Sequence, residues 1–219
     1  MKAFFGSLAC MLFLYTSAFA DLISKYETHD DVHPYTQTLG LEMGSFHPAS
    51  LSISNSNNRF DYSGKSLNSV WVEPKWSIKL FHFAGAFYLE EGMPLSFFNG
   101  KLPDSETAHG ETTSLFVLGI DTRLKYAMEW FPLKAFIPFV EGGYQYSLYS
   151  QSGPSDFESV QGSVGNWVAG AGLDFWINAS SSERTIPLFL SAKVNRIFSS
   201  SNSVNFDSVS YLGSMSIGI

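Results

Sequence analysis

Cysteine is nearly absent from this 219-residue chain: the only one, Cys10, falls within the first twenty residues. Disulfides therefore contribute nothing to whatever fold follows. Long apolar runs are absent as well. No stretch after residue 20 reaches the roughly 18 consecutive apolar residues of a spanning helix, so a membrane location requires a closed barrel that satisfies its own backbone. Basic residues are scarce, with 13 Lys and Arg against 20 Asp and Glu, a net charge of −7. An acidic chain is a poor partner for nucleic acid, and that class is set aside.

The first twenty residues are read as a cleaved secretory signal. Lys2 supplies the positive end, residues 8–15 a short apolar core, and Ala18, Phe19 and Ala20 an A-x-A site before Asp21. A lipoprotein attachment at Cys10 would cut that apolar core in half and is not adopted. Removal of the signal leaves 199 residues, with 12 basic against 20 acidic and a net charge of −8, enough for one domain or one small barrel. Residues 21–34 are polar and read as a periplasmic lead-in. His29, Asp30, Asp31 and His33 cluster there, but a terminus is seldom held rigidly enough to make a metal site, and neither metal nor cofactor is assigned.

The most informative stretch is 114–130, SLFVLGIDTRLKYAMEW. Phe116, Leu118, Ile120, Thr122, Leu124, Tyr126, Met128 and Trp130 alternate with Gly119, Asp121, Arg123, Lys125, Ala127 and Glu129. Side chains alternate faces along a strand, so one face is apolar and the other charged. A strand this long exceeds the usual ~5 to 6 residues of soluble sheets. The pattern predicts a spanning strand with its oily face to lipid and its charged face to a lumen.

The same period recurs along the chain. Strands are predicted at 35–47, 70–82, 83–97, 114–130, 136–149, 164–177, 187–198 and from 209 to the end. Loops are expected at 48–67, 99–112, 150–162 and 199–206, with short turns at 131–134 and 178–185. The third strand holds only to about residue 89, because Glu90, Glu91, Gly92 and Pro94 interrupt it; that break is the candidate place for a lateral opening. Pro74, in mid-strand, predicts a bulge or an edge-like spot. The fold class is thus all-β, an eight-stranded antiparallel up-and-down transmembrane barrel over 35–219, with Trp76, Leu118, Ile120, Leu124, Trp167 and Tyr211 facing lipid.

With its signal, eight amphipathic strands and phrases such as PFVEGGYQY and VAGAGLDF, the chain resembles the small OmpA-type and OmpX-type outer-membrane barrels. The resemblance implies a Gram-negative outer membrane, contact with its lipid and lipopolysaccharide, and insertion by the outer-membrane assembly machinery. Such barrels commonly end on an aromatic that this machinery reads. Here the end is Ile219, while Tyr211, Met215 and Ile217 keep the alternating apolar signature.

Inward positions collect Glu42, Glu73, Asp121, Glu129, Glu141 and Asp174 against Lys75, Lys79, Arg123, Lys125 and Lys193. Eight strands enclose only enough room for side chains. Buried charges survive when paired, so these groups are expected to close the lumen as a salt-bridge plug rather than line a pore. For Arg123 the expected partners are Glu42, Glu73, Glu141 and Asp174; nearness in sequence does not by itself make Asp121 one. A proton or small-ion path through the plug is the alternative use of the same groups.

Ser45 and His47 lie two apart on the lipid-facing side of the first strand. Lipid A deacylases, similar in general layout, carry a His and a Ser two apart on a late strand. The late strand here, 193–198, reads KVNRIF and has no His, and no carboxylate can be inferred beside His47. No catalytic residue is assigned. The expected role is that of a non-enzymatic outer-membrane barrel acting in envelope integrity or presenting its extracellular loops to a partner; the alternative is a narrow conduit for a small or apolar solute, and a lipid-modifying outer-membrane enzyme is a distant third.

Overall fold

The computed structural model describes residues 36–54, 59–61, 69–101, 112–129, 136–152, 159–181, 184–199 and 204–219. The signal segment, the lead-in, Trp130 and the 131–134 turn lie outside them. The strands are β1 (Gln37–Ser54), β2 (Arg59–Asp61), β3 (Val70–His82), β4 (Ala86–Gly92), β5 (Leu95–Lys101), β6 (Thr112–Ala127), β7 (Phe136–Ser152), β8 (Val160–Ser181), β9 (Arg184–Ser199) and β10 (Val204–Gly218). β2 only extends a hairpin from the end of β1, and β4 and β5 are two halves of one wall strand. Eight wall strands remain of the ten, all antiparallel, and the pairing of β1 with β3 closes the ring.

The wall strands obey the period of two, except that in β3 Ile78 is buried between Ser77 and Lys79, just before the register shift. On β6, Leu115, Val117, Asp121, Arg123, Lys125 and Ala127 are buried inward, while Phe116 and Leu124 are exposed outward. Leu118, Ile120 and Trp76 share that outer wall, with Trp167 61% and Tyr211 56% exposed. Exposed apolar residues circle the molecule, and a soluble barrel would not leave them uncovered. Aromatics band both ends of this wall. Phe81 stacks on Phe87 and Phe136 meets Phe175 edge-on near the end holding the 83–85 turn, whereas Tyr144 and Trp167 pair edge-on nearer the other end, their centroids 5.4 Å apart. Two aromatic girdles around an apolar band are the signature of a spanning barrel.

Several boundaries differ from the sequence reading, each for a tertiary reason. Residues 48–54, read as loop, continue β1 because β10 supplies pairing partners as far as Ile53 opposite Val204, after a register shift between Pro48 and Ser50. β8 and β9 likewise reach Ser181 and Arg184, through most of the expected 178–185 turn, since each hydrogen-bonds the other. The third wall strand does not loosen after residue 89 but runs to Lys101 as β4 and β5. Pro74 produces no bulge in β3. The irregularity lies opposite it, where Met93 and Pro94 leave the ladder; β3 shifts register only between Lys79 and Phe81.

The tight turn from β3 to β4 depends on Gly85, at φ 136, a region L side chains rarely adopt. A Cβ there would also collide with the Ala127 carbonyl.

Candidate functional site

The lumen is filled in layers. Toward the end of the wall where β1 pairs with β2 and where β7 ends at Ser152, inward alternation places Phe46, Trp71, Phe98, Leu115, Val117, Val164, Val168, Ile197, Phe206 and Leu212 in one buried apolar cluster. Phe46 stacks on Trp71 with rings 4° from parallel, and Phe98 meets Phe46 edge-on at 5.0 Å. Toward the short-turn end, Ala86, Tyr88, Ala127, Ile137 and Phe139 form a second, smaller cluster. The ionisable groups lie between and against these two layers. The sequence reading anticipated charges but not the apolar layers, because inward apolar residues such as Trp71, Val117 and Val168 break the polar half of the alternation.

All eleven charged residues named from the sequence are buried inward: Glu42, Glu73, Lys75, Lys79, Asp121, Arg123, Lys125, Glu129, Glu141, Asp174 and Lys193. Glu90 joins them. Its position in the interrupted strand hid its parity, yet β4 pairs with β6 so that Glu90 faces Arg123 in register and points inward. Seven carboxylates thus face five cations.

Arg123 is the hub. Its Nη1 lies 2.9 Å from Glu141 Oε1 and 3.8 Å from Glu42, and its Nη2 reaches Glu73 Oε2 at 3.0 Å and also bonds Asp121. Asp121 is therefore a partner, contrary to expectation, and Asp174 is not. Residues two apart on a strand share a face, and a long guanidinium folds back along it. Asp174 instead holds Lys125 at 2.7 Å and accepts a bond from Ser191 at 2.6 Å.

Lys193 bridges Glu42 at 2.8 Å and Glu141 at 2.7 Å, while Lys75 sits 3.5 Å from both Glu42 and Glu90. Two aromatics tie the charges to the apolar layers. Trp71 Nε1 donates to Glu73 at 2.9 Å, and Tyr88 donates to Glu129 at 3.2 Å. Lys125 also stands 4.0 Å over the Phe139 ring. Arg123, Lys75, Lys125 and Lys193 thus each have at least two acceptors, the condition under which buried charge is tolerated.

Backbone spacing makes room for this cluster at Gly92. A Cβ there would run into the carboxylate oxygens of both Glu73 and Asp121. Gly92→Ala is expected to push these acids off Arg123 and to cost about 1 to 3 kcal/mol, the usual penalty for overpacking. Urea titration of the folded barrel measures it; a wild-type midpoint would show that the carboxylates are free to move.

Little open volume remains. A cavity of about 30 Å³ lies among Thr38, Lys75, Glu90, Lys125, Asp174 and Ser191, and another of about 10 Å³ lies under Phe46 and Trp71 beside Gln145 and Asn166. The first has room for a water or two and the second for one at most.

The break between β4 and β5 is bridged. Met93 N donates to Pro74 O at 3.0 Å and Gly119 N donates to Pro94 O at 2.8 Å, so the ladder is carried across it. Ser45 and His47 do hydrogen-bond on the outer wall at 3.2 Å, and the other described contact of the imidazole is the Tyr211 ring. No carboxylate among the described residues orients it.

No protein-family model and no curated protein matches the chain. Solved structures do. It is similar to Neisserial surface protein A (11% identity, 84% of this chain and 97% of that one, TM-score 0.43) and to the outer membrane protein OprG of Pseudomonas aeruginosa (12%, 86% and 97%, 0.47). Ail, the attachment invasion locus protein of Yersinia pestis, matches at 9% identity over 84% of this chain and 98% of its own, TM-score 0.42. These are likenesses of architecture, and what the barrel does has to come from its own residues.

Proposed function

We propose that this chain is a non-enzymatic outer-membrane barrel whose plugged lumen serves as a rigid stave, acting in envelope integrity or presenting its extracellular loops to a partner. The observation that carries this reading is the filled lumen: a charge cluster centred on Arg123, held between two apolar layers. The apolar outer wall with its two aromatic girdles supports the location, with lipid and lipopolysaccharide as its surroundings and the outer-membrane assembly machinery as its route there. A conduit would need either a water path through the layers or a gap in the wall, and the bridged β4–β5 break supports neither.

Purified protein in planar bilayers is expected to show no steady conductance. The double variant Glu141→Gln with Asp121→Asn should stay closed as well, because the Phe46, Trp71 and Phe98 layer blocks the lumen independently of charge. Adding Phe46→Ala and Trp71→Ala to that double variant should produce single-channel steps. Steady steps from the wild type would overturn the plug and favour the conduit.

A further inference from the structure

Among the ionisable side chains of the described residues that point outward from the apolar wall, Glu91 and Arg196 stand on opposite sides of the barrel, away from the lumen network. Glu91 stands on the outer line of β4 between Leu89 and Met93, half-buried, with Thr122 Oγ1 lying 3.2 and 3.1 Å from its two carboxylate oxygens. Arg196 stands exposed on the outer line of β9 between Val194 and Phe198, its guanidinium 5.3 Å from the Phe198 ring. Among the described residues neither has an oppositely charged partner. Asp207, the acid on the strand beside Arg196, already accepts a bond from Ser199 N at 2.9 Å.

The topology sets these two groups on opposite sides of the barrel. From β4 the ring reaches β9 in four steps through β6, β7 and β8, and equally in four through β3, β1 and β10. Their heights correspond as well. The hydrogen-bonded row through Glu91 passes Thr122, Tyr144 and Trp167 to Phe198 in one direction, and Trp76, Leu39 and Ile217 to Leu188 in the other. Because strands tilt, the level point on β9 lies midway, at Lys193, three residues below Arg196. That offset is ~10 Å along a strand at ~3.3 Å per residue, or ~8 Å in height at a tilt of ~40°, a gap that the long Arg and Glu side chains close together.

Beside Arg196 the outer wall dips at Ala169 and Ala171 and is rimmed by the exposed Trp167, Phe198 and Tyr211, whereas the wall around Glu91 carries Leu39, Trp76, Leu89 and Leu124.

We propose that a second copy of this chain covers this wall, Glu91 of one barrel engaging Arg196 of the next. The contact is heterologous, since two different patches meet, and repetition extends it into rows within the membrane plane. Alone in hydrocarbon each group is unfavourable; together they form a charge-assisted pair in a medium that barely screens it. The inference rests on the outer wall facing lipid, and the experiment reads the two ideas apart.

In a Cys10→Ser background, Leu89→Cys and Val194→Cys place thiols on the two patches. Oxidation of native membranes should give a ladder of disulfide-linked copies when one chain carries both, and only dimers when chains carrying one each are mixed. Glu91→Arg alone and Arg196→Glu alone should each abolish the ladder, and the two reversals combined should restore it. Glu91→Gln and Arg196→Gln, expected to weaken it, serve if a reversal fails to fold, which heat-modifiable gel migration reports. A ladder indifferent to these changes, or none from the folded parent, overturns the contact. A chain that washes off membranes in carbonate overturns the lipid-facing wall itself.

Discussion

Leu124→Arg is expected to lower the stability of the membrane-folded barrel by about 2 to 4 kcal/mol, the penalty for a cation on the lipid face of a spanning strand near the midplane. Leu124 is exposed on the outer wall, in register with Leu89 on one side and Gly142 on the other, and the outward Glu91 stands diagonal to it, so the full penalty is expected with Glu91→Gln in the background and a smaller one when Glu91 can pair with the new guanidinium. Leu118→Arg should act in the same direction, less severely where it lies closer to the interface. The matched control is Ser210→Ala, because that hydroxyl is buried inward and has no hydrogen-bond partner among the described residues. Exchanging an unpartnered buried hydroxyl for a methyl is expected to be neutral or slightly stabilising. Urea-dependent folding into lipid vesicles measures both. Equal tolerance of the two substitutions would mean that the outer wall does not face hydrocarbon.

Removing the hub of the lumen should cost more. Arg123→Ala strands Glu73 and Asp121 inside the barrel, a loss of about 3 to 5 kcal/mol for a broken buried ion pair. The geometry ranks the possible rescues. Among the described residues Arg123 is the only cation within 4.0 Å of Asp121 and of Glu73, the latter also accepting from the neutral Trp71 indole, whereas Glu141 keeps Lys193 at 2.7 Å when Arg123 is lost. Asp121→Asn and Glu73→Gln should therefore recover most of the stability in the Arg123→Ala background, and Glu141→Gln less. Asp174→Asn should recover none, since that carboxylate belongs to Lys125 and Ser191. Double-mutant cycles on unfolding free energy give the coupling of each pair directly. Equal coupling to Asp174 and Asp121 would contradict the observed partition of the cluster.

The period of two in residues such as Leu118 to Leu124 and Tyr211 to Ile217 was sufficient to assign faces, since parity along a strand depends on nothing beyond the chain itself. It placed the eleven lumen charges on the inward side because each lies in an uninterrupted run. Glu90 escaped because the strand was expected to hold only to about residue 89, and only pairing with β6 shows that it continues with Glu90 inward. Glu91, one residue on, is outward for the same reason, and its carboxyl is recognisable as lipid-facing only after the wall is closed.

What the sequence by itself determined is the all-β barrel class, the count of eight wall strands and the inward or outward sense of most side chains. Those follow from local alternation. What only the tertiary structure decided is who meets whom: that Asp121 folds onto Arg123 while Asp174 goes to Lys125, that Phe46, Trp71 and Phe98 gather into a layer, and that β1 continues past Pro48 along β10. Register and shear fix those meetings. They are properties of strands held side by side around a closed ring, where each residue's neighbours come from β-strands up to the full length of the chain away, and no pattern within a single strand encodes them.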